Sequence, residues 1–370
     1  FDARFPKMPS YLRRAAIQHA LGSVSSYHTR LEQWKDGALS GKPKLVYENH
    51  AMPVFYRDVM YKPGEESEDA ACLKLYDGHD WKWFCAGLLH TDMEYLRRHW
   101  SGKKSSAPVL EKRHQKYFLR FSYTEEVTLS KTPIEDQIIC SVDLGINTDA
   151  VCSIMRSDGA VLDRKFINFP SEKDRLSHVL GRIRRFQKEH SSKQIGSRWA
   201  YAKRLNTELA RKTARSIAEY AHENHADVIV FEYLEMKGKI SGKKRQKLHL
   251  WKEREIQTMC EHKAHRYGIR VSRVCTWNTS RLAYDGSGPV SRDPKNHSLC
   301  VFQSGKQYNC DLSASYNIGA RYWIREIIKT LPETERSSLE AKVPAVERRT
   351  SCVYADLLIL KNEYGCSKAA

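Results

Sequence analysis

The chain has 370 residues, enough for two or three domains, and its 41% hydrophobic and 29% charged residues describe an ordinary globular protein. Its 62 Lys and Arg stand against 44 Asp and Glu, a formal charge of +18, which favours a polyanion such as nucleic acid through counterion release. No apolar run reaches the roughly 18–20 residues of a membrane span, and the charge is dispersed rather than gathered on one amphipathic helix, so a membrane partner is set aside.

The chain begins with Phe1 rather than Met and shows no signal-peptide pattern, which leaves open a segment before it. The first stretch, "PSYLRRAAIQHALGSVSSYHTRLEQW", reads as a helix. Ser10 is placed to cap it after Pro9, and Leu12, Ile17, Leu21, Val24, Leu31 and Trp34 fall near one face. The linker "DGALSGKPK" follows. From about Pro53 to Val127 the texture changes to short strands, rich in aromatic and β-branched residues. "YDGHDW" predicts a hairpin turn, and "TDMEYLRRHWSG" a short helix between strands. A small β-barrel or curled sheet suits this region.

At "KTPIEDQ" the pattern changes again. "IICSVDLGI" is a nearly continuous apolar run, the mark of a strand buried on both faces. "DAVCSIMRSDGAVLDRKFIN" adds two strands about the turn Ser157-Asp158-Gly159, which predicts an antiparallel meander. A helical region spans roughly Ser171 to Asn224, interrupted near "HSSKQIGS". "ADVIVFE" is a second buried strand, "MKGKISGKKRQK" a basic loop, and "LHLWKEREIQTMCEHKAHRYG" a helix stopped by Gly268. "IRVSRVC" is a further strand, and a last helix opens at Asp311. Three strands, helix, strand, helix, strand and helix is the element order of an RNase H-like fold. Ten cysteines run from Cys72 to Cys366 without a small-domain framework. Several lie in apolar runs, so reduced core thiols of a cytoplasmic protein are expected.

Acids now stand at comparable places in that order. Asp143 lies in the first buried strand, Glu232 ends the strand "VIVFE", and Asp311 opens the final helix. Burying a carboxylate is unfavourable unless it is paired or binds a cation. Each has a plain alternative: Asp311 as a helix N-cap, Glu232 as a solvent-facing strand end, Asp143 as the partner of a buried Arg. Together they fit a site for two Mg²⁺ ions about 4 Å apart, as used in phosphodiester cleavage.

These residues carry a family resemblance. "VDLGINTDAV", "VIVFEYLEMKGK" and "NCDLSASYNIGARY" resemble the three RuvC motifs of the TnpB proteins, transposon-encoded RNA-guided DNA nucleases and ancestral relatives of the type V CRISPR effectors. "VSRVCTWNTSRLAYDG" resembles the family's approach to its zinc ribbon. The match covers roughly Ile138 to Trp323. It implies an α/β RNase H-like (RuvC) nuclease domain preceded by a small wedge-like β-barrel domain with a helical recognition insertion. In this sequence the parts are a recognition segment at 1–40, the wedge-like barrel at 41–135 and the RuvC core at 136–274. A target nucleic-acid-binding lid follows at 275–310, then the last RuvC helix at 311–331 and a helical tail at 332–370.

The implied activity is that of a metal-dependent endodeoxyribonuclease. It would cut DNA where a guide RNA pairs beside a short duplex motif, with Asp143, Glu232 and Asp311 as catalytic metal ligands. The implied partners are guide RNA and double- and single-stranded target DNA, in the bacterial cytoplasm and nucleoid. Two departures stand out. Ala283 and Gly286 fall where one C-x-x-C pair of the ribbon is expected, and Gln303 where the partner of Cys300 should be. A metal-free hairpin over the site is therefore expected, without zinc; a set of Cys275, His297, Cys300 and Cys310 is the alternative. Ser313 also replaces the usual Asn of the third motif.

Basic clusters lie where such a nuclease would hold nucleic acid. They are Arg182, Arg184, Arg185 and Lys188; Lys203, Arg204, Arg211, Lys212 and Arg215; and Lys243, Lys244 and Arg245. Each also suits a plain solvated helix face. Trp81, Trp83 and Tyr117 are candidates for base stacking or for core packing. Two other readings remain open: a catalytically silent guided DNA-binding repressor, and a structure-specific nuclease that works without RNA.

Overall fold

The computed structural model describes all residues except 1–2, 40, 46–50, 66, 114, 190–194, 234–250, 294–295, 297, 344, 346–350 and 370. It divides into two units, Phe1–Glu126 and Val127–Ala370.

In the first unit, α1 (Ser10–Lys35) is the expected helix. Ser10 does not cap it. Pro9 holds the N-cap position, and Ser10 is already helical, so its hydroxyl accepts no capping bond. Leu12 is buried, but Ile17, Leu21 and Val24 of the expected packing face are exposed. Among the described residues eight short strands follow: β1 (Ala51–Val54), β2 (Tyr61–Pro63), β3 (Ala70–Tyr76), β4 (Trp81–Gly87), β5 (Lys104–Ser105), β6 (Val109–Arg113), β7 (Lys116–Arg120) and β8 (Tyr123–Thr124). The short helix α2 (His90–Trp100) stands between β4 and β5 as predicted. The strands pair as β1-β6-β7, β2-β3-β4 and β5-β8. The hairpin at "YDGHDW" joins β3 to β4, and the Asp77 carboxylate closes it by accepting from the backbone N–H groups of His79 and Asp80. Phe55, Met60, Tyr61 and Ala71 form the core with Leu12.

One cysteine expectation is corrected here. Cys72 and Cys85 lie directly opposite each other on β3 and β4 and form a disulfide. Only the strand register brings them together. Cys140, Cys152, Cys260, Cys300, Cys310 and Cys352 are buried thiols, as expected.

The second unit follows the predicted element order. It begins with β9 (Ile138–Leu144), β10 (Ala150–Arg156), β11 (Val161–Ile167), α3 (Pro170–Glu189) and α4 (Gly196–Glu223). Then come β12 (Val228–Tyr233), α5 (Glu253–Arg266) and β13 (Arg270–Cys275). Three short strands, β14 (Ser291–Arg292), β15 (Leu299–Val301) and β16 (Gln307–Asn309), lead into α6 (Cys310–Thr330), α7 (Glu333–Lys342) and α8 (Tyr354–Ala369). The five-stranded sheet has the order β11-β10-β9-β12-β13. Its first three strands are the predicted antiparallel meander; β12 runs parallel to β9, and β13 to β12. This is the RNase H-like arrangement that the element order implies.

Both faces are covered, as the apolar strands require. On one face Cys140, Val142, Cys152, Ile154, Ile229 and Phe231 pack against α4 and α5. On the other, Ile139, Val151, Met155, Val228 and Val230 pack against α6. Gly268 ends α5 in a left-handed conformation, φ 76°, and turns the chain into β13. The tail helix α8 packs on α6, with Leu357 and Leu360 fully buried.

The approach of α6 to the sheet is close. Ser315 hydrogen-bonds Ser153 at 2.6 Å in the buried interface. A Cβ on Gly319 would stand 2.4 Å from the Met155 sulfur and 3.3 Å from the Ser141 Cβ. Gly319→Val is therefore expected to destabilise the second unit. Overpacking of about 1–3 kcal/mol outweighs the smaller gain in helix propensity, at most about 0.5 kcal/mol. Urea unfolding of the variant should show a lower midpoint than the parent; an unchanged midpoint would mean that α6 has room it does not show.

Candidate active site

Strand parity sorts the acids. Successive residues of a strand alternate between faces, so Ile139, Ser141 and Asp143 of β9 share the face covered by α6. Ser141 lies beside Val230 in the parallel pairing of β9 with β12. Two residues further along, Asp143 and Glu232 occupy that same face on neighbouring strands. Asp311 is the second residue of α6. It is not the helix cap: the side chain of Asn309 caps α6, accepting from the Leu312 N–H at 2.9 Å. The N-terminal turn of α6 thus brings a third carboxylate to the face that carries the other two.

The electrostatics link them. Asp143 is only 9% exposed, and Glu232 and Asp311 are half-buried. Burial pushes the Asp143 carboxyl well above the usual range, the charges of Glu232 and Asp311 push it further, and Arg292 opposes them. Burial also raises Glu232, against a hydrogen bond donated by the Thr279 hydroxyl and the charge of Arg321. Asp311 is raised by burial and lowered by Arg292. Carboxylate oxygens are hard donors, of the kind that suits Mg²⁺. Among the described residues, no three His, Cys, Asp or Glu side chains stand close enough together to hold a metal ion. The acids share a face and a field without forming a finished cage.

The sequence reading missed three residues here. Arg292, on β14, donates to the Ser280 carbonyl at 3.0 Å and sets its charge against Asp143 and Asp311. Thr279 holds Glu232. Arg321 is buried in α6, donates to the carbonyls of Cys275 and Cys352, and balances Glu232. Only Arg292 carried a legible signal, a cation inside the segment expected to lie over the site.

That segment folds as the three-stranded sheet β14-β15-β16 beside an apolar cluster of Ala283, Cys300, Phe302 and Cys310. Ala283 fills its ribbon position as a fully buried core residue. Of the alternative zinc set, Cys275 is exposed, Cys300 and Cys310 lie in the cluster, and His297 is outside the described residues. Ser313, in place of the usual Asn, accepts from the Tyr284 N–H at 3.2 Å and ties the segment to α6.

The basic candidates fall into three groups. Arg182, Arg184, Arg185 and Lys188 are exposed on α3 and make no ion pair among the described residues. Lys203 and Arg204 are exposed on α4, whereas Arg211, Lys212 and Arg215 there pair with Glu208, Glu172 and Glu219. Lys243, Lys244 and Arg245 lie outside the described residues. Trp81 packs against the first unit's core, while Trp83 and Tyr117 are exposed beneath Lys62 and Lys112.

Comparison with known proteins bears out the resemblance to the TnpB and type V group. Residues 254–318 match the family model described as the Cas12f1-like TNB domain, and residues 1–77 match the Aq_aa04 family. No curated protein matches the chain. Among solved structures, a Cas12f1–sgRNA–target DNA complex is similar at 19% identity and TM-score 0.39, over 78% of this chain and 74% of that one. A CRISPR-Cas12f ternary complex is similar at 19% identity and TM-score 0.38, over 65% of this chain and 49% of that one. The mini-RNA-guided endonuclease Cas_phi3 is similar at 15% identity and TM-score 0.44, over 76% of this chain and 63% of that one. No helix among the described residues is long and apolar enough to cross a membrane.

The raised carboxyls give a signed pH dependence. Their folded-state pKa values lie above the unfolded values, so the folded chain keeps protons that the unfolded chain has lost. Their contribution to stability is complete below about pH 4 and is lost as the pH rises through the folded-state values. Asp143→Asn is expected to stabilise the metal-free chain at neutral pH by roughly 0.5–2 kcal/mol and to flatten this slope. Urea titrations at several pH values check both; a destabilised Asn variant at neutral pH would show that Asp143 is already paid for by a partner.

Proposed function

We propose that the chain is an RNA-guided DNA endonuclease of the TnpB and type V kind. One observation carries the reading: Asp143 and Glu232 lie on one face of neighbouring parallel strands, and α6 brings Asp311 to that same face, all within TnpB-like motifs. The matched TNB segment and the +18 charge support nucleic acid as the partner. On this reading Asp143, Glu232 and Asp311 would hold two Mg²⁺ ions once drawn closer together, carboxylate oxygens being suitable donors. Bound there, the metal would supply a polarised water and charge for the leaving oxygen. The chain's own residues do the rest. Thr279 orients Glu232, Arg292 brings positive charge toward Asp143 and Asp311, and the apolar walls of β9, β12 and α6 keep water from the carboxylates.

The other parts take matching roles in the proposal. The small sheets of the first unit are the wedge-like barrel at 41–135, preceded by the helical recognition segment at 1–40. The core at 136–274 and the helix at 311–331 form the nuclease, the segment at 275–310 is the target-strand lid, and 332–370 is a packing tail. The exposed cations of α3 and α4 hold a guide–target duplex by its backbone, while base pairing with the RNA selects the DNA.

Asp143→Ala is expected to abolish cleavage of a matched duplex in the presence of Mg²⁺ and to leave RNA and DNA binding within about twofold, as phosphate contacts dominate affinity. Cleavage at the parental rate would remove Asp143 from the site. The purified chain is also expected to carry a discrete RNA, read by sequencing. A chain free of RNA that still cuts selectively would favour a structure-specific nuclease.

A further inference from the structure

Within the first unit, a cleft of about 230 Å³ lies between α2 and the strands β5 and β8. Leu96, Pro108 and Phe121 give it apolar lining. Trp100 and Tyr123 both line it and stack on each other, with centroids 5.2 Å apart and planes 25° apart. Tyr61 lines it too, packed edge-on to Phe121 at 5.7 Å. The rim is hydroxylic, through Ser101, Ser105 and Ser106. Two guanidinium groups, Arg57 and Arg97, also line the cleft.

The two arginines differ. Arg97 donates to Asp69 at 2.8 Å and stands 3.7 Å from Glu68, so its charge is largely answered. Arg57 is exposed and has no ion pair among the described residues. A tight turn fixes its backbone: Asp58 takes a positive φ of 62° and donates its N–H to the Tyr61 carbonyl at 2.7 Å. That turn carries Arg57 near the buried Tyr61, whose hydroxyl feels its charge.

We propose that this cleft takes one unpaired nucleotide of a bound single strand, with the base inside the aromatic wall and its phosphate at Arg57. The volume is below the roughly 300–1,000 Å³ of sites that enclose drug-sized ligands, which argues for a single ring system rather than a whole cofactor. Flat apolar walls suit the π-face of any base, and the hydroxyl rim suits its polar edge. An unanswered cation at the cleft suits a phosphate and not a neutral ligand. The inference rests on the nucleic-acid part of the function proposed above and is independent of cleavage.

The test uses the whole chain, freed of co-purified nucleic acid, and short single-stranded RNA and DNA oligonucleotides with a central 2-aminopurine, whose fluorescence falls when it stacks. Binding to the parent chain is expected to quench that fluorescence. Trp100→Ala is expected to weaken binding about 5- to 100-fold and abolish the quench, as loss of one stacking platform does. Arg57→Ala is expected to reduce the slope of log affinity against log salt by about one phosphate contact. Ser106→Trp fills the cleft from its exposed rim without removing packing, and it should also abolish the quench; it decides the matter where Trp100→Ala fails to fold. A quench with RNA alone, or with DNA alone, supports the cleft and names the strand. Parental affinity and quench in folded Ser106→Trp would overturn it, as would tight binding of both oligonucleotides by the parent with no quench. A chain that quenches but never cleaves DNA overturns the nuclease reading and keeps this one. A guided nuclease whose cleft variants quench like the parent does the reverse.

Discussion

The close packing of α6 on the sheet is the constraint on which the second unit depends. A helix approaches a strand this closely only if its facing side chains are small, and Ala314, Ser315 and Gly319 meet that requirement. The contact is polar at one point, where the Ser153 and Ser315 hydroxyls satisfy each other out of water. A second row of the same helix does a different task. Ser313, Asn317 and Arg321 lie four residues apart, so they line one face. Ser313 accepts from Tyr284, and Asn317 donates to the carbonyls of Thr279 and Leu282 while accepting from the Tyr354 N–H. Arg321 reaches the carbonyls of Cys275 and Cys352. One helix therefore fixes the sheet, the segment at 275–310 and the tail together.

The charge distribution follows two rules in the same unit. Outside, cations on α3 stand in solvent, where each is well hydrated and available to a phosphate. Inside, three carboxylates meet apolar walls and one another, and their pKa values rise because the medium answers them poorly. Natural chains keep such an arrangement mainly where the site has work for it, since an apolar replacement would fold better. The positions of Arg292 and Arg321 soften the conflict without ending it: each stands against a carboxylate, and neither is a close ion-pair partner among the described residues.

Much of this was legible in the sequence because the second unit obeys period and polarity. Uninterrupted apolar runs announced β9 and β12, and an acid inside each run was anomalous enough to notice. What escaped notice depended on long-range register. Cys72 and Cys85 are only a pair once β3 and β4 are aligned, and nothing in their spacing distinguishes them from the other thiols. The apolar residues of α1 have helical spacing, yet Ile17, Leu21 and Val24 face solvent, because periodicity shows a face and not what covers it. The cap of α6 went to Asn309 rather than Asp311 by a difference of two residues, within the usual uncertainty of helix ends. Thr279 and Arg321 had no local signature at all, since each matters only through a neighbour remote in sequence.

The segment at 275–310 is held together by an apolar centre. Metal ligands would fix such a segment by bonds to a centre of its own. Here Ala283, Cys300, Phe302 and Cys310 form an apolar centre instead, and Cys310 is also the first residue of α6. The segment's core is thus continuous with the helix that carries Asp311. Thr279 binds Glu232 by its hydroxyl and receives Asn317 of α6 at its carbonyl, so a second path joins lid, helix and acid. Anything that loosens α6 from the sheet must then disturb the setting of Asp311, Glu232 and Arg292 at once. The acids are therefore positioned by one packed assembly, in which the small residues of α6 matter as much as the carboxylates beside them.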